Sequence, residues 1–163
     1  AINISLPLVG LLSINRAQII PMVLLVLFSY FADDAHDLAE GINDVEGDRK
    51  LGVRTYATSF GEETAAKISF FMVVVAGIIG ILLWLMTLLS LIFLIPFVLL
   101  WFYTLNQSYS LIKSTNESQR RAQAKIVGKK QYDFLLFSYT LIFLDVSFQL
   151  LNAFYLHFST VIV

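Results

Sequence analysis

Apolar residues in this chain come in long blocks, not in alternation. Between Lys67 and Lys113 there is no charged residue. That run is too long for one membrane helix, which needs roughly 20 apolar residues, and it suits two with a tight turn. The turn is expected at Thr87–Ser90, with helices over about Ala65–Met86 and Leu88–Ile112. An earlier apolar block, Ala17–Ala32, predicts another span that runs on into a polar segment. After a polar stretch over 113–132, Phe134–Phe158 predicts a fourth, interrupted by Asp145 and His157. Ala1–Ile14 is apolar but short, and reads as the tail of a further helix. The pattern as a whole predicts an all-α integral membrane bundle, with about four full spans and a partial one in a single domain over 1–163. The GIIG at 77–80 places small residues where two helices would approach closely.

Composition supports this reading. The chain is 58% hydrophobic and 14% charged, against about 25% charged in soluble domains. A net charge of −1 gives no reason to expect nucleic acid or another polyanion as partner. The absence of cysteine excludes disulfides, thiolate metal sites and cysteine nucleophiles. No signal peptide is recognisable, and the chain reads as a piece of something longer.

Basic residues are uneven. Arg49, Lys50, Arg54 and Lys67 follow the first span, and Lys113, Arg120, Arg121, Lys125, Lys129 and Lys130 crowd the stretch 113–132. Only Arg16 marks the opposite side. Lys and Arg are enriched in cytoplasmic loops, so both polar segments are expected on the cytoplasmic face. Topology alone accounts for the basic stretch; contact with anionic head groups is the alternative.

The unusual feature is acidic. Seven of the twelve acidic residues fall within residues 33–48, at the end of a membrane helix. On a continuous helix Asp37, Glu40, Asp44 and Asp48 share one face, which Asp33 extends. Like charges at that spacing repel, and near a bilayer the cost rises. Compensating cations would relieve it, and Mg²⁺ binds through carboxylates together with substrate phosphates. Arg49, Lys50 and Arg54 follow, as cations suited to a diphosphate. A solvated helix end is the plain alternative. A calcium loop is not indicated, since the D-x-[DN]-x-[DN]-G pattern does not occur.

Asn43–Thr55, NDVEGDRKLGVRT, followed by Phe60–Gly61, resembles the second Asp-rich motif of the UbiA superfamily of membrane prenyltransferases. The resemblance implies a nine-helix bundle, of which this chain would be the C-terminal half, roughly helices five to nine. It implies two Asp-rich motifs facing a cytoplasmic cavity, with Mg²⁺ holding a prenyl diphosphate whose prenyl group passes to an aromatic or lipid acceptor. Asp44 and Asp48 match motif acids, Arg49 and Arg54 its basic positions, and Gly47 and Gly52 its glycines. Asp44 and Asp48 are therefore the expected catalytic and metal residues, with Glu40 and Asp37 as further metal ligands. Arg49, Lys50 and Arg54 are expected on the diphosphate. The chain departs from the pattern at Glu40–Gly41, where the family has Lys-Asp, and at His36, where Arg is common. No first Asp-rich motif is present, so this half is expected to be inactive alone.

Two residues stand apart from the motif. Asp145 lies mid-span, where an acid is a functional candidate, and Gln149, four residues on, is its expected partner. His36 is a candidate for deprotonating an acceptor. Two other classes compete with the enzyme: a transporter built on Asp145 and the acidic mouth, and a non-catalytic lipid-binding relative, suggested by Gly41.

Overall fold

The computed structural model describes residues 19–161, with their side chains as far as Tyr155. The partial helix expected over Ala1–Ile14, Arg16, and the side chains of His157 and Phe158 lie outside this range. Among the described residues six helices follow one another: α1 (Ile19–Asn43), α2 (Val45–Leu51), α3 (Tyr56–Phe60), α4 (Glu62–Met86), α5 (Leu91–Lys113) and α6 (Glu117–Val161). Among the described residues there is no strand. Four helices, α1, α4, α5 and α6, are long and apolar enough to cross a membrane. The expected all-α bundle of four full spans is therefore what the chain forms. Helix α1 lies against α4 and α6, and α5 lies against the same two.

Two packed layers sit at different depths. One is aromatic: Phe28 of α1, Phe93 and Phe97 of α5 and Phe134 of α6 are all buried. Phe97 lies 6.0 Å from Phe28 and 5.6 Å from Phe134, centroid to centroid, within the range where aromatic pairs attract. The other layer, nearer the acidic end, is built of small residues. It includes Ala39, Ile42, Val45, Ala57, Ala65, Ala66, Ala124 and Val127.

Between the layers a buried polar node joins all four spans. Ser69 of α4 donates to the Ala35 carbonyl of α1 at 2.7 Å. Ser108 of α5 donates to its own helix at the Thr104 carbonyl, 2.8 Å. Both hydroxyl protons are thus used, and each oxygen accepts from the Gln131 amide of α6, at 2.9 and 3.0 Å. Inside lipid such bonds replace the hydrophobic drive that holds helices together in water.

The GIIG segment brings α4 and α5 together as the sequence suggests. A Cβ on Gly77 would stand 1.8 Å from the Trp101 ring, and one on Gly80 would stand 2.1 Å from Phe97. The Trp101 indole donates to the Val73 carbonyl at 3.0 Å, so Trp101 serves helix packing.

Boundaries differ from the sequence reading in two places. Helix α5 starts at Leu91 and not at Leu88, because Ser90 is extended and its hydroxyl accepts from the Ile92 amide at 3.1 Å. The polar stretch 113–132 is mostly helix: only residues 114–116 form the turn, and α6 runs unbroken for 45 residues. A helix of that length is about 67 Å, well beyond the roughly 30 Å of a hydrocarbon core. Its first turns are amphipathic, burying Ala124 and Val127 while Lys125 and Lys129 stay exposed. Arg120 turns back and donates to the carbonyls of Leu111 and Ser114, closing the end of α5.

Asp145 is fully buried and fully engaged. It accepts from the Ser90 amide at 2.6 Å and the Ser90 hydroxyl at 2.7 Å. Gln149 approaches it at 3.3 Å and also donates to the Leu88 carbonyl at 2.7 Å. A carboxylate from α6 therefore caps the N-terminus of α5, where the helix dipole favours negative charge. Asp145→Ala strands these donors and is expected to cost about 1–3 kcal/mol, read as a lowered thermal midpoint in detergent with ligand binding retained. Lost binding at an unchanged midpoint would return Asp145 to the functional candidates.

Candidate functional site

The acidic segment folds as a helix, a bend and a short helix. Helix α1 ends at Asn43, and Asp44 is a bend at φ −95°, ψ 3°, capping α2 without a side-chain bond to its backbone. The expected single helix face is broken there. Gly41 and Gly47, poor helix formers, flank the joint, and the Asn43 amide holds Asp44 Oδ1 at 2.6 Å. Helical spacing still carries across it, since the Asp44 amide donates to Glu40 and the Asp48 amide to Asp44, both at 3.0 Å. Gly52 then stops α2 at φ +70°. The Gly52 amide bonds Arg49 and the Val53 amide bonds Asp48, a Schellman closure that only glycine adopts without strain. Thr55 and Thr58 cap each other's backbone at the start of α3, which turns the chain back onto α1 and α4.

That return builds a cleft of about 270 Å³ at the acidic end of the bundle. Asp34, Asp37, Leu38 and Gly41 of α1 form one wall, Thr55, Tyr56 and Ala57 the other, and Met72 of α4 closes it. Gly41 is informative here. A Cβ at this position would lie 3.8 Å from Thr55, in ordinary contact. The position where the UbiA motif carries its first acid thus borders the cleft, with room to begin a side chain.

Beside the cleft, His36, Asp37 and Glu40 place a ligand atom each within 4.8 Å of one another. His36 Nδ1 faces the Gly128 carbonyl at 3.0 Å and its Nε2 lies 3.4 Å from Glu40. The contact with that carbonyl turns Nε2 toward the carboxylates, the orientation that metal-binding histidines commonly show. The donor set, oxygen with one imidazole, suits a small divalent cation. Of the residues expected to hold metal, Asp37 and Glu40 come together in this group. Asp44 and Asp48 lie farther along, outside it. Arg49, Lys50 and Arg54 are exposed on α2 and the loop after it.

Asp34 and Tyr56 line the cleft although the sequence reading passed over both, and Asp33, which it favoured, is not among the lining residues. Asp34 was recoverable, being three residues before Asp37 and seven before Gly41 on one helical face. Tyr56 was not, because it arrives by way of the α2–α3 turn.

A multi-span helical membrane protein with an acid-lined cleft at one end of its bundle is the class that fold and cleft define. A model described as the UbiA prenyltransferase family matches residues 2–139, and the chain belongs to that family. No curated protein and no solved structure gave a match. Membership supports prenyl transfer as the general chemistry, in a family whose enzymes are generally magnesium-dependent.

Gly41→Asp adds a carboxylate at the cleft wall. It is expected to tighten Mg²⁺ binding by about tenfold, since ligand charge count tunes such sites. Calorimetry on the purified protein checks this, and equal affinity in both proteins would place the cation away from Gly41.

Proposed function

We propose that the protein transfers a prenyl group from a prenyl diphosphate to a hydrophobic or aromatic acceptor, with Mg²⁺, at the cytoplasmic face. The observation that carries this reading is the cleft itself: acids line one wall, the segment that joins its two walls carries Arg49, Lys50 and Arg54, and four largely apolar spans lie beside it. Such a place suits a ligand with an anionic head and a greasy tail. The orientation rests on charge. The segment with Arg49, Lys50 and Arg54 and the basic residues that flank the α5–α6 turn lie at the same end, since Ile42, Val45, Leu111 and Ala124 share one core.

In this reading Asp37 and Glu40 hold a cation beside the cleft, Asp44 and Asp48 hold one farther along the acidic segment, and His36 adds a nitrogen donor or takes a proton from the acceptor. Bound Mg²⁺ supplies neutralising charge to the diphosphate leaving group. Arg49, Lys50 and Arg54 add fixed positive charge to the same oxygens. Leu38 and Met72 shelter the allylic end of the tail from water, and the Tyr56 ring offers its electron-rich face to positive charge developing there. The other half of the site, the first Asp-rich motif, would come from outside this chain, so this half alone is inactive.

A non-catalytic lipid-binding relative is the second reading, favoured by Gly41. A transporter is disfavoured, because Asp145 is spent on capping α5 and Gln131 on joining helices. The test uses full-length protein in nanodiscs and a radiolabelled prenyl diphosphate. Binding is expected to require Mg²⁺ and to fall by at least about tenfold in Asp44→Ala and in Asp48→Ala. Equal binding by all three proteins contradicts the reading.

A further inference from the structure

Arg121 sits 75 positions from the acidic motif, yet its side chain is 16% exposed at the centre of three carboxylates. Its Nε donates to Glu62 Oε1 at 2.8 Å, and Nη2 lies 2.7 Å from the same oxygen. Nη2 also donates to Glu117 Oε2 at 3.1 Å. Nη1 donates to Glu46 Oε1, and Glu46 lies between Asp44 and Asp48 in the motif. One guanidinium from α6 therefore joins α2, the start of α4 and its own helix.

The arms are not equivalent. Glu62 is buried, at 4% exposure, in the first turn of α4. A buried carboxylate needs its cation, and removing one partner is strongly destabilising. The Glu46 side chain is 66% exposed, and an exposed ion pair adds little stability. The effect of the Glu46 arm must lie elsewhere. Helix α2 has seven residues and buries only Val45. It packs on α1 and α3, its neighbours in sequence. Backbone bonds carry α2 on from α1 across the bend, so the roll left to it is small, and one buried side chain does not fix it. A second tether one residue on, about 100° around the axis, fixes the roll.

We infer that Arg121 and Glu46 are positioning residues that set the roll of α2, and with it the direction in which Asp44 and Asp48 face. The inference rests on the prenyl diphosphate reading for the role of those two acids. Arg121 touches no ligand in this account and acts through Glu46. Arg121→Gln also abandons buried Glu62, so its failure to fold would be uninformative. Glu46→Gln removes the charge of the exposed arm alone and leaves Arg121 on Glu62 and Glu117.

The sequence holds no cysteine, which allows paired spin labels at Leu51→Cys on α2 and Lys125→Cys on α6, both exposed and outside the site. In full-length protein with any other cysteines replaced, Glu46→Gln is expected to broaden the Leu51–Lys125 distance distribution. It is expected to raise the Mg²⁺ midpoint for prenyl diphosphate binding about tenfold, as loss of a ligand-orienting partner does, with little change in thermal midpoint. Glu46→Asp, which keeps the charge, should restore part of the shift. An unchanged distribution, or a broadened one with an unchanged Mg²⁺ midpoint, overturns the inference. If the unsubstituted protein binds no prenyl diphosphate with Mg²⁺, the functional reading fails instead, and the label distances still judge the tether.

Discussion

The Gln131 amide is the constraint on which the rest of the bundle depends. It supplies two protons to two serine oxygens whose own protons are already committed, and so ties α6 to α4 and α5 at one depth. Ser69 passes the link to α1 through the Ala35 carbonyl. Apolar side chains facing lipid on one side and each other on the other gain little from choosing one register over the next. A buried amide is different: a slip of one helix would leave its protons without acceptors in a medium with no water to replace them.

Register fixed at that depth places what lies beyond it. Toward one end, aromatic rings fill the space between α1, α5 and α6. Toward the other, alanines let backbones approach, and α1 comes near enough to α6 for His36 to meet the Gly128 carbonyl. At the same end, the turn capped by Thr55 brings α3 over the last turns of α1 and forms the cleft. Each end is then closed by a charged side chain from α6. Asp145 caps the start of α5, and Arg120 and Arg121 close the end of α5 and hold the start of α4. The long helix α6 is the member to which the turns at both ends are tied.

Much of this was legible in the sequence. Charge-free runs of the right length marked the spans, the Thr87–Ser90 turn fell where the structure has it, and GIIG marked the close approach of α4 and α5. The motif over Asn43–Thr55 named the family. What stayed hidden was everything set by partners distant in sequence. The stretch 113–132 looked like a loop because its polar residues outnumber the few, Ala124 and Val127 among them, that pack on α1 and α4 only once the bundle forms. Asp145 looked like a functional acid because its partner, the free amide of Ser90, belongs to a helix end 55 residues away. The bend at Asp44 depends on local backbone geometry that acid spacing does not reveal. Asp34 on the cleft wall could have been found from helical spacing; Tyr56 opposite it could not.

The central claim is that the cleft between α1 and α3 receives a prenyl diphosphate head beside the acids of Asp37–Asp48. The most direct measurement is a structure of the full-length protein in nanodiscs with a prenyl thiodiphosphate, which resists cleavage, and Mn²⁺ in place of Mg²⁺. The account predicts diphosphate density against Arg49, Lys50 or Arg54, a cation on carboxylates of the acidic segment, and the tail running past Leu38 and Met72. Ligand density elsewhere in the bundle, with the acids turned to solvent, would contradict it.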